Sequence, residues 1–189
     1  HTFGVFVKPE NIINVGIQKI SEVDLKYARE NNLTIKLVAR AYKIDGNIYG
    51  FVAPQFIPAD HMLANVRNEY NAVLVEGAFA EKQVFIGKGA GSYPTGSAVL
   101  SDVSALTFNY RYEYKKVRQN GVIPFSNDHD LNLYIRFTDE NILDELGVHD
   151  ISQRFTSNDT KYVIGKVKLS KLLSAKLNDR TDLFIAKAE

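Results

Sequence analysis

The segment 84–103, VFIGKGAGSYPTGSAVLSDV, constrains the fold of this chain more than any other stretch. The apolar run at 84–86 predicts a strand, and three glycines follow it within the next five positions. Pro94 then precedes apolar residues at helical spacing, and proline suits a first helical position because its φ is already helical. This order of strand, glycine loop and helix start brings backbone N–H groups and the positive end of a helix dipole towards an anion or a polar ring.

The residues of this loop leave two interpretations open. Glycine allows positive φ and close approach of the backbone to a ligand, at a cost of about 0.5–1 kcal/mol relative to alanine. The other interpretation is a tight strand-to-helix turn that binds nothing. The loop is not a Walker loop, because Gly87-Lys88 is followed by Gly89 and not by Ser or Thr. It also departs from the dinucleotide fingerprint G-x-G-x-x-G, since Ser92 stands at the third glycine position.

Composition excludes several classes of protein. With 45% hydrophobic and 24% charged residues, the 189-residue chain is typical of a globular domain with at most a small appendage. The net charge of +1 and the lack of a basic run with interleaved aromatics argue against a nucleic-acid partner. No apolar run approaches the roughly 20 residues that a membrane span needs. Because cysteine is absent, disulfides and thiolate metal sites are excluded, and we expect a cytoplasmic protein without membrane partners.

A short helix is predicted near the start of the chain. Ser21 is a typical N-cap, and Glu22 and Asp24 place two carboxylates in the first turn. We interpret both carboxylates as solvated residues that complement the helix dipole, not as an acid–base pair. The helix should run to about Glu30, and its inward residues should be Val23, Tyr27 and Ala28.

Two predicted hairpins supply most of a sheet. They pair 33–44 with 48–56 and 71–78 with 81–86. Asp45-Gly46-Asn47 has the composition of a tight hairpin turn, and Pro54 limits the end of its strand to an edge or a loop. The helix after the glycine loop should end near Phe108. The fold class predicted for this part is α+β, with a largely antiparallel sheet covered by helices on one face.

The last third of the chain again alternates predicted strands and helices, in shorter elements. Residues 112–127 change to mixed charge and are interpreted as a linker. In 128–189 the order of elements is β-α-β-β-α-β, the ferredoxin-like split unit, and its first strand carries alternating apolar residues at Leu131, Leu133, Ile135 and Phe137. We therefore divide the chain into residues 1–111, 112–127 and 128–189.

The glycine loop resembles a segment of one enzyme family. GKGAGSYPTGSAVLSD resembles the G-x-G-A-G-x-x-P-T-x-S-A-V-x-x-D segment of homoserine dehydrogenases. Three earlier blocks continue the likeness in the family's order: GIQKISEVDLKYARENNLTIKLVARA from Gly16, VAPQFIPADHMLANV from Val52 and NAVLVEG from Asn71. The resemblance implies an oxidoreductase of threonine and methionine biosynthesis, which transfers a hydride between NAD(P)H and the small substrate aspartate β-semialdehyde to give homoserine.

The same resemblance implies which residues meet the cofactor, either NAD or NADP. Gly91 matches the family's last loop glycine, which approaches the cofactor near its nicotinamide end. Ala90, Gly89 and Thr95 belong to the same segment and rank below Gly91, as does Pro94. The family's substrate domain, to which residues 1–111 correspond, also forms a homodimer through its sheet.

The family's catalytic residues have no counterpart among these 189 residues. The catalytic lysine and substrate-binding acids lie in a segment of the form D-P-x-x-D-ψ-x-G-x-D-x-x-x-K, with ψ aliphatic, which has no match here. A Rossmann fingerprint is missing as well. We therefore expect a fragment that lacks the N-terminal nucleotide domain and is inactive by itself.

Residues 128–189 resemble an ACT domain, the small regulatory module that many homoserine dehydrogenases carry at this end. The turn at 138–142 keeps an acid, Asp139, but lacks the glycine usual there. Because that turn approaches the amino-acid ligand in ACT domains, we expect effector binding to be weak. The rival function is a non-catalytic module for dimerisation and amino-acid sensing.

Other polar clusters carry less information. Asp128-His129-Asp130 is interpreted as a solvated turn, and His61 and His149 as loop histidines. None of the histidines stands at the spacing of a metal-ligand pair. No metal site is expected.

Overall fold

The computed structural model describes residues 2–110 and 123–188. The chain divides into two compact units: residues 1–58 together with 114–189, and residues 59–113. Each unit has its own sheet. None of the helices in the described part of the chain is long and apolar enough to cross a membrane.

The described residues form strands and helices with the following bounds. The strands are β1 (Ile13–Asn14), β2 (Leu33–Ile44), β3 (Asn47–Pro58), β4 (Tyr70–Gly77), β5 (Glu81–Lys88), β6 (Asp130–Phe137), β7 (His149–Thr156), β8 (Lys161–Lys168) and β9 (Leu183–Lys187). The helices are α1 (Glu22–Glu30), α2 (Ser92–Thr107), α3 (Asn141–Leu146) and α4 (Leu169–Ser174). A short 3₁₀ turn, Pro9–Asn11, precedes β1.

A seven-stranded sheet organises the first unit. β2 pairs antiparallel with β3, and both β1 and β9 lie parallel to β3. Beyond β9 come β6, β8 and β7, all antiparallel to their neighbours. The last four strands thus lie in the order β9-β6-β8-β7. In the β-α-β-β-α-β pattern β6 is the first strand, and it lies between the third strand, β8, and the fourth strand, β9. The predicted fold class, a largely antiparallel α+β sheet with this pattern at its end, is confirmed.

The last four strands do not form a sheet of their own. Gln55 of β3 pairs with Lys187 of β9, so they extend the sheet built by the first 58 residues. The described end of the predicted linker also follows β3, because Ile48 N donates to Pro124 O at 2.9 Å and Ser126 N donates to Ile48 O at 2.9 Å. Residues 112–122 of that linker lie outside the described residues, and the predicted three-part division stays a prediction.

Helices cover both faces of this sheet, not one face as predicted. On one face, Leu133 and Ile135 of β6 are buried with residues of α3 and α4. On the other face, Tyr134 is fully buried in a cluster that includes Ala28 of α1. The alternation predicted for 131–137 is confirmed, but Tyr134 is buried as well, because helices from distant parts of the chain pack on opposite faces.

The β2–β3 hairpin has the predicted turn but a longer second strand. Asp45 and Gly46 both have positive φ, 48° and 80°, as a two-residue hairpin loop requires. Pro54 does not end β3, which continues to Pro58 beside β2. On the other flank of β3, Pro54 falls between Val52, which pairs with β1, and Gln55, which pairs with β9. The missing N–H of Pro54 therefore lies at the point where β1 ends as the neighbour of β3 and β9 begins.

Asp24 of α1 is fully buried, so its interpretation as a solvated residue is wrong. Ser21 N and Oγ donate to Asp24 Oδ2 at 2.8 and 2.9 Å, which completes a capping box. From β6, Tyr134 Oη and Arg136 Nε donate to Asp24 Oδ1 at 3.0 and 2.9 Å. Burial, and then the adjacent Asp24 carboxylate, hold the pKa of Tyr134 far above its usual value, so the phenol stays a donor. This network fastens α1 to the sheet.

The second unit consists of the β4–β5 hairpin and α2. The predicted hairpin is present, but it pairs from Tyr70 with Lys88 to Gly77 with Glu81, so the first strand ends one residue earlier and the second two residues later than predicted. The helix begins at Ser92, two residues before the predicted start, and Phe108 is its C-cap. The apolar residues at helical spacing, Val99, Val103 and Leu106, are all exposed.

Candidate functional site

The glycine loop runs from the end of β5 to the first turn of α2. Gly91 is the N-cap of α2 and has φ 119° and ψ 153°, a conformation that L residues rarely adopt. Its carbonyl accepts the first helical hydrogen bond, from Thr95 N at 3.1 Å. No side chain caps this end of α2. The N–H groups of Ser92 and Tyr93 in the first turn are therefore positioned to bind a ligand.

Gly89 is close to another part of its own unit. Its N–H donates to Glu69 O at 3.0 Å, one residue beyond the paired part of the hairpin. A Cβ added at Gly89 would lie 1.6 Å from Nδ2 of Asn71. The Asn71 amide therefore occupies the space that a side chain at position 89 would take. A side chain at position 89 would therefore require the Asn71 side chain to move.

A shallow concavity of about 690 Å³ opens beside the loop. Two of the predicted cofactor-binding residues line it, Ala90 and Gly91, whereas Gly89 and Thr95 are not among its lining residues. The other lining residues are Glu69, Lys88, Ser92, Tyr93, Pro94 and Ser97. Sequence reasoning missed all of these except Pro94, and the only signal for Glu69 was its position just before the β4 block.

An ion pair borders the concavity. Lys88 Nζ lies 2.9 Å from Glu69 Oε1 and 5.5 Å from the centroid of the Tyr70 ring. A hydrogen bond from its own backbone N–H, and then one from Lys88, hold the pKa of Glu69 below its usual value. Both side chains are about half exposed, so this pair orients the loop entrance more than it stabilises the fold.

The lining of the concavity favours the binding of a polar ligand. Its lining includes no histidine, and its carboxylate, Glu69, is ionised and paired with Lys88. The backbone donors and the dipole of the 16-residue helix favour a polar or negatively polarised group near Gly91. These residues suit a polar or negatively polarised group of a ligand, and the single carboxylate of the lining, already paired with Lys88, does not make a metal site.

The three side chains of the Asp128-His129-Asp130 segment contact different residues. Asp128 pairs with Lys168, which lowers the pKa of the Asp128 carboxyl. The ring of His129 packs 4.9 Å from that of Tyr49, and Asp130 Oδ2 lies 3.2 Å from His149 Nε2. Each side chain thus has a separate partner. Among the described residues, no three His, Asp or Glu side chains come together in a group that could hold a metal ion.

Comparisons with known proteins agree on one family. The family model for homoserine dehydrogenase matches residues 1–104. A curated homoserine dehydrogenase of Synechocystis sp. is 44% identical over 108 residues, which cover 53% of this chain and 24% of that protein. That of Bacillus subtilis is 36% identical over 109 residues, which cover 58% and 25%. The matched residues span about a quarter of the length of these curated relatives.

A solved structure extends the likeness to the whole chain. The crystal structure of a homoserine dehydrogenase from Thiobacillus denitrificans matches with a TM-score of 0.71 at 24% identity. The match covers 99% of this chain and 49% of that one. At this identity the likeness concerns the fold, and it includes the β-α-β-β-α-β segment that the sequence matches leave out.

Proposed function

Because this chain belongs to the homoserine dehydrogenase family, we propose that it forms part of an oxidoreductase that interconverts aspartate β-semialdehyde and homoserine. The observation that carries the proposal is the family match through residue 104, which contains the glycine loop and most of α2. The proposal includes NAD or NADP as cofactor, a cytoplasmic location and a role in threonine and methionine biosynthesis.

In this proposal the glycine loop binds the nicotinamide end of the cofactor. When bound, the cofactor supplies or accepts the hydride. Gly91 lets the backbone approach it without an intervening side chain, and the first turn of α2 offers N–H donors. Ala90 lines the same concavity, while Lys88 and Glu69 fix the start of the loop. Gly89 and Thr95 act only through the shape of the loop.

A homodimer through the sheet of the first unit is also part of the proposal. α1 packs over one end of β2, where Ile35 is partly buried. Farther along β2, on the face that Ile35 shares, Leu37 is 50% exposed, and Ala39 and Ala41 are exposed as well. Because an uncovered apolar sheet face is a liability for a monomer, a second copy is its natural cover.

The second candidate function is a non-catalytic module for dimerisation and amino-acid sensing. The order of the last four strands is the one that an ACT-like domain would have. The family match over the first 104 residues favours the enzyme, because it includes the loop that the cofactor would meet. We therefore keep the sensing role as a property of the tail and not as the function of the whole.

The decisive experiment compares two proteins in one assay. The longer natural protein that contains this chain should oxidise homoserine with formation of NADH or NADPH. The 189-residue chain alone should not, because the family's catalytic lysine and acids have no match in it. If the longer protein does not turn over homoserine with either cofactor, the proposed function is wrong. Turnover by the 189-residue chain would show instead that its own residues suffice for catalysis.

A further inference from the structure

A second concavity, of about 410 Å³, lies in the first unit between the segment after β1 and the loop before β9. Its apolar lining includes Val15, Leu183 and Ile185, which are 7%, 4% and 1% exposed. Its polar lining includes the side chains of Gln18, Lys19 and Asn178. A volume of this size and a mixed lining are typical of small-molecule sites, which span about 300–1,000 Å³.

Two hydrogen bonds hold the walls of this concavity together. Lys19 Nζ donates to Leu177 O at 2.6 Å, and Asn178 Nδ2 donates to Asn14 O at 2.8 Å. These bonds join residues 158 and 164 positions apart in the chain. Because both bonds are made within the protein, they fix the walls of the concavity, which lowers the entropic cost of binding.

Hydrogen-bonding capacity remains at the rim. Lys19 Nζ has three N–H donors, and Leu177 O takes one of them. Within the described residues the Gln18 amide has no hydrogen-bond partner, and it folds over Gly16, where an added Cβ would lie 2.1 Å from Gln18 Oε1. The neighbouring Asp182 carboxylate is paired with Arg180 at 2.7 Å. The hydrogen bond from Arg180, and to a smaller extent the charge of Lys19, hold the pKa of Asp182 below its usual value. Two N–H donors of Lys19 and the Gln18 amide therefore remain for a ligand.

From this geometry we propose that the concavity binds a small carboxylate with a short apolar tail. The Lys19 ammonium and the Gln18 amide bind the carboxylate, and the tail packs on Val15, Leu183 and Ile185. A cation of the same size would be repelled by the Lys19 charge, and a neutral alcohol would lack the negative charge that pairs with the Lys19 ammonium. This site belongs to the first unit and does not depend on the cofactor chemistry proposed for the glycine loop.

The test is a titration of the isotope-labelled 189-residue chain followed by its amide NMR shifts. Butyrate is the probe, and butylammonium and 1-butanol are its matched controls at equal ionic strength. We expect saturable shifts at Gly16, Lys19 and Asn178 with butyrate alone. Saturation by all three probes, or by none of them, would overturn the proposal.

Variants locate the binding groups. Lys19→Gln keeps a donor for Leu177 O but removes the charge, and should weaken butyrate binding by at least about tenfold. Gln18→Ala removes an amide with no partner of its own, so the fold should be unchanged while binding weakens several-fold. The control is Lys26→Gln on α1, where the lysine side chain is 69% exposed. This variant should bind butyrate with the affinity of the unchanged chain. Equal affinity in all three variants would contradict the assigned site.

Discussion

The glycines of the loop differ in what an added side chain would meet. At Gly91 the restriction is conformational, since φ is 119° while the nearest atom to an added Cβ is Pro94 Cδ at 3.4 Å. At Gly89 φ is not positive, but the Asn71 side chain lies where an added Cβ would stand. At Gly87 nothing lies within 4 Å of an added Cβ. Gly91 is therefore the position where a side chain strains the backbone beside the concavity.

The first prediction concerns Gly91→Val in the longer protein. A side chain there should cost the roughly 1–3 kcal/mol of a strained backbone site and obstruct the approach to the cofactor. We expect kcat/KM for NAD(P)H to fall about ten- to a hundredfold, with a smaller effect on the melting temperature.

Gly96→Ala is the control for this prediction. It adds a side chain to the same helix at a position where nothing lies within 4 Å, so cofactor kinetics should be unchanged. If Gly91→Val lowers the melting temperature and leaves kcat/KM as it was, Gly91 is a structural turn residue and does not meet the cofactor.

The second prediction concerns Asp24, which is fully buried, whereas the Glu22 side chain on the same helix is 76% exposed. Asp24→Ala would leave Tyr134 Oη without its acceptor and would leave Arg136 with only the Lys19 carbonyl. The Arg136 side chain is 24% exposed, so water can partly solvate its charge when Asp24 is removed. We therefore expect the free energy of unfolding to fall by about 3 kcal/mol, the low end of the range for breaking a buried ion pair. Glu22→Ala should change it by less than about 0.5 kcal/mol. Equal effects in urea unfolding would show that the network does not fasten α1.

At the scale of elements, the start of α3 bears on effector binding. Asp139 Oδ1 accepts from Asn141 N at 3.0 Å, so its carboxylate serves the first turn of the helix. The turn also lacks the glycine that the ACT resemblance would supply. The third prediction is that L-threonine binds this chain weakly or not at all. Calorimetric titration checks it, with D-threonine as the control, and micromolar affinity for L-threonine alone would contradict it.

At the scale of the whole molecule, the fourth prediction is a homodimer in solution. Light scattering at micromolar concentration should give twice the mass of the chain. Leu37→Lys places a charge on the exposed face of β2 and should shift the mass towards the monomer, because the charge would have to be buried in the interface.

Ile151→Lys is the matched control, since Ile151 is a 40% exposed apolar residue on β7 at the far edge of the same sheet. This variant should remain a dimer. A monomeric wild type would contradict the prediction, and a monomer from Ile151→Lys alone would move the interface to β7.

Sequence alone determined the features that depend on neighbours in the chain. The Asp45-Gly46 turn, the Ser21 cap and the order of strand, glycine loop and helix were all predicted, because each is set by residues within a few positions of one another. The glycine loop was also specific enough to indicate the family. Of its four candidate residues, the structure brings Ala90 and Gly91 to the concavity.

Only the tertiary structure decided the features that join distant parts of the chain. The burial of Asp24 depends on Tyr134 and Arg136, 110 and 112 positions away, so no local pattern distinguished it from Glu22. The pairing of Gln55 with Lys187 joins the last four strands to the sheet of the first 58 residues. Helices from distant parts of the chain then pack on both faces of the combined sheet. Patterns of hydrophobicity show that a face will be buried, but not which distant element buries it. That choice depends on the complementary packing of the whole chain.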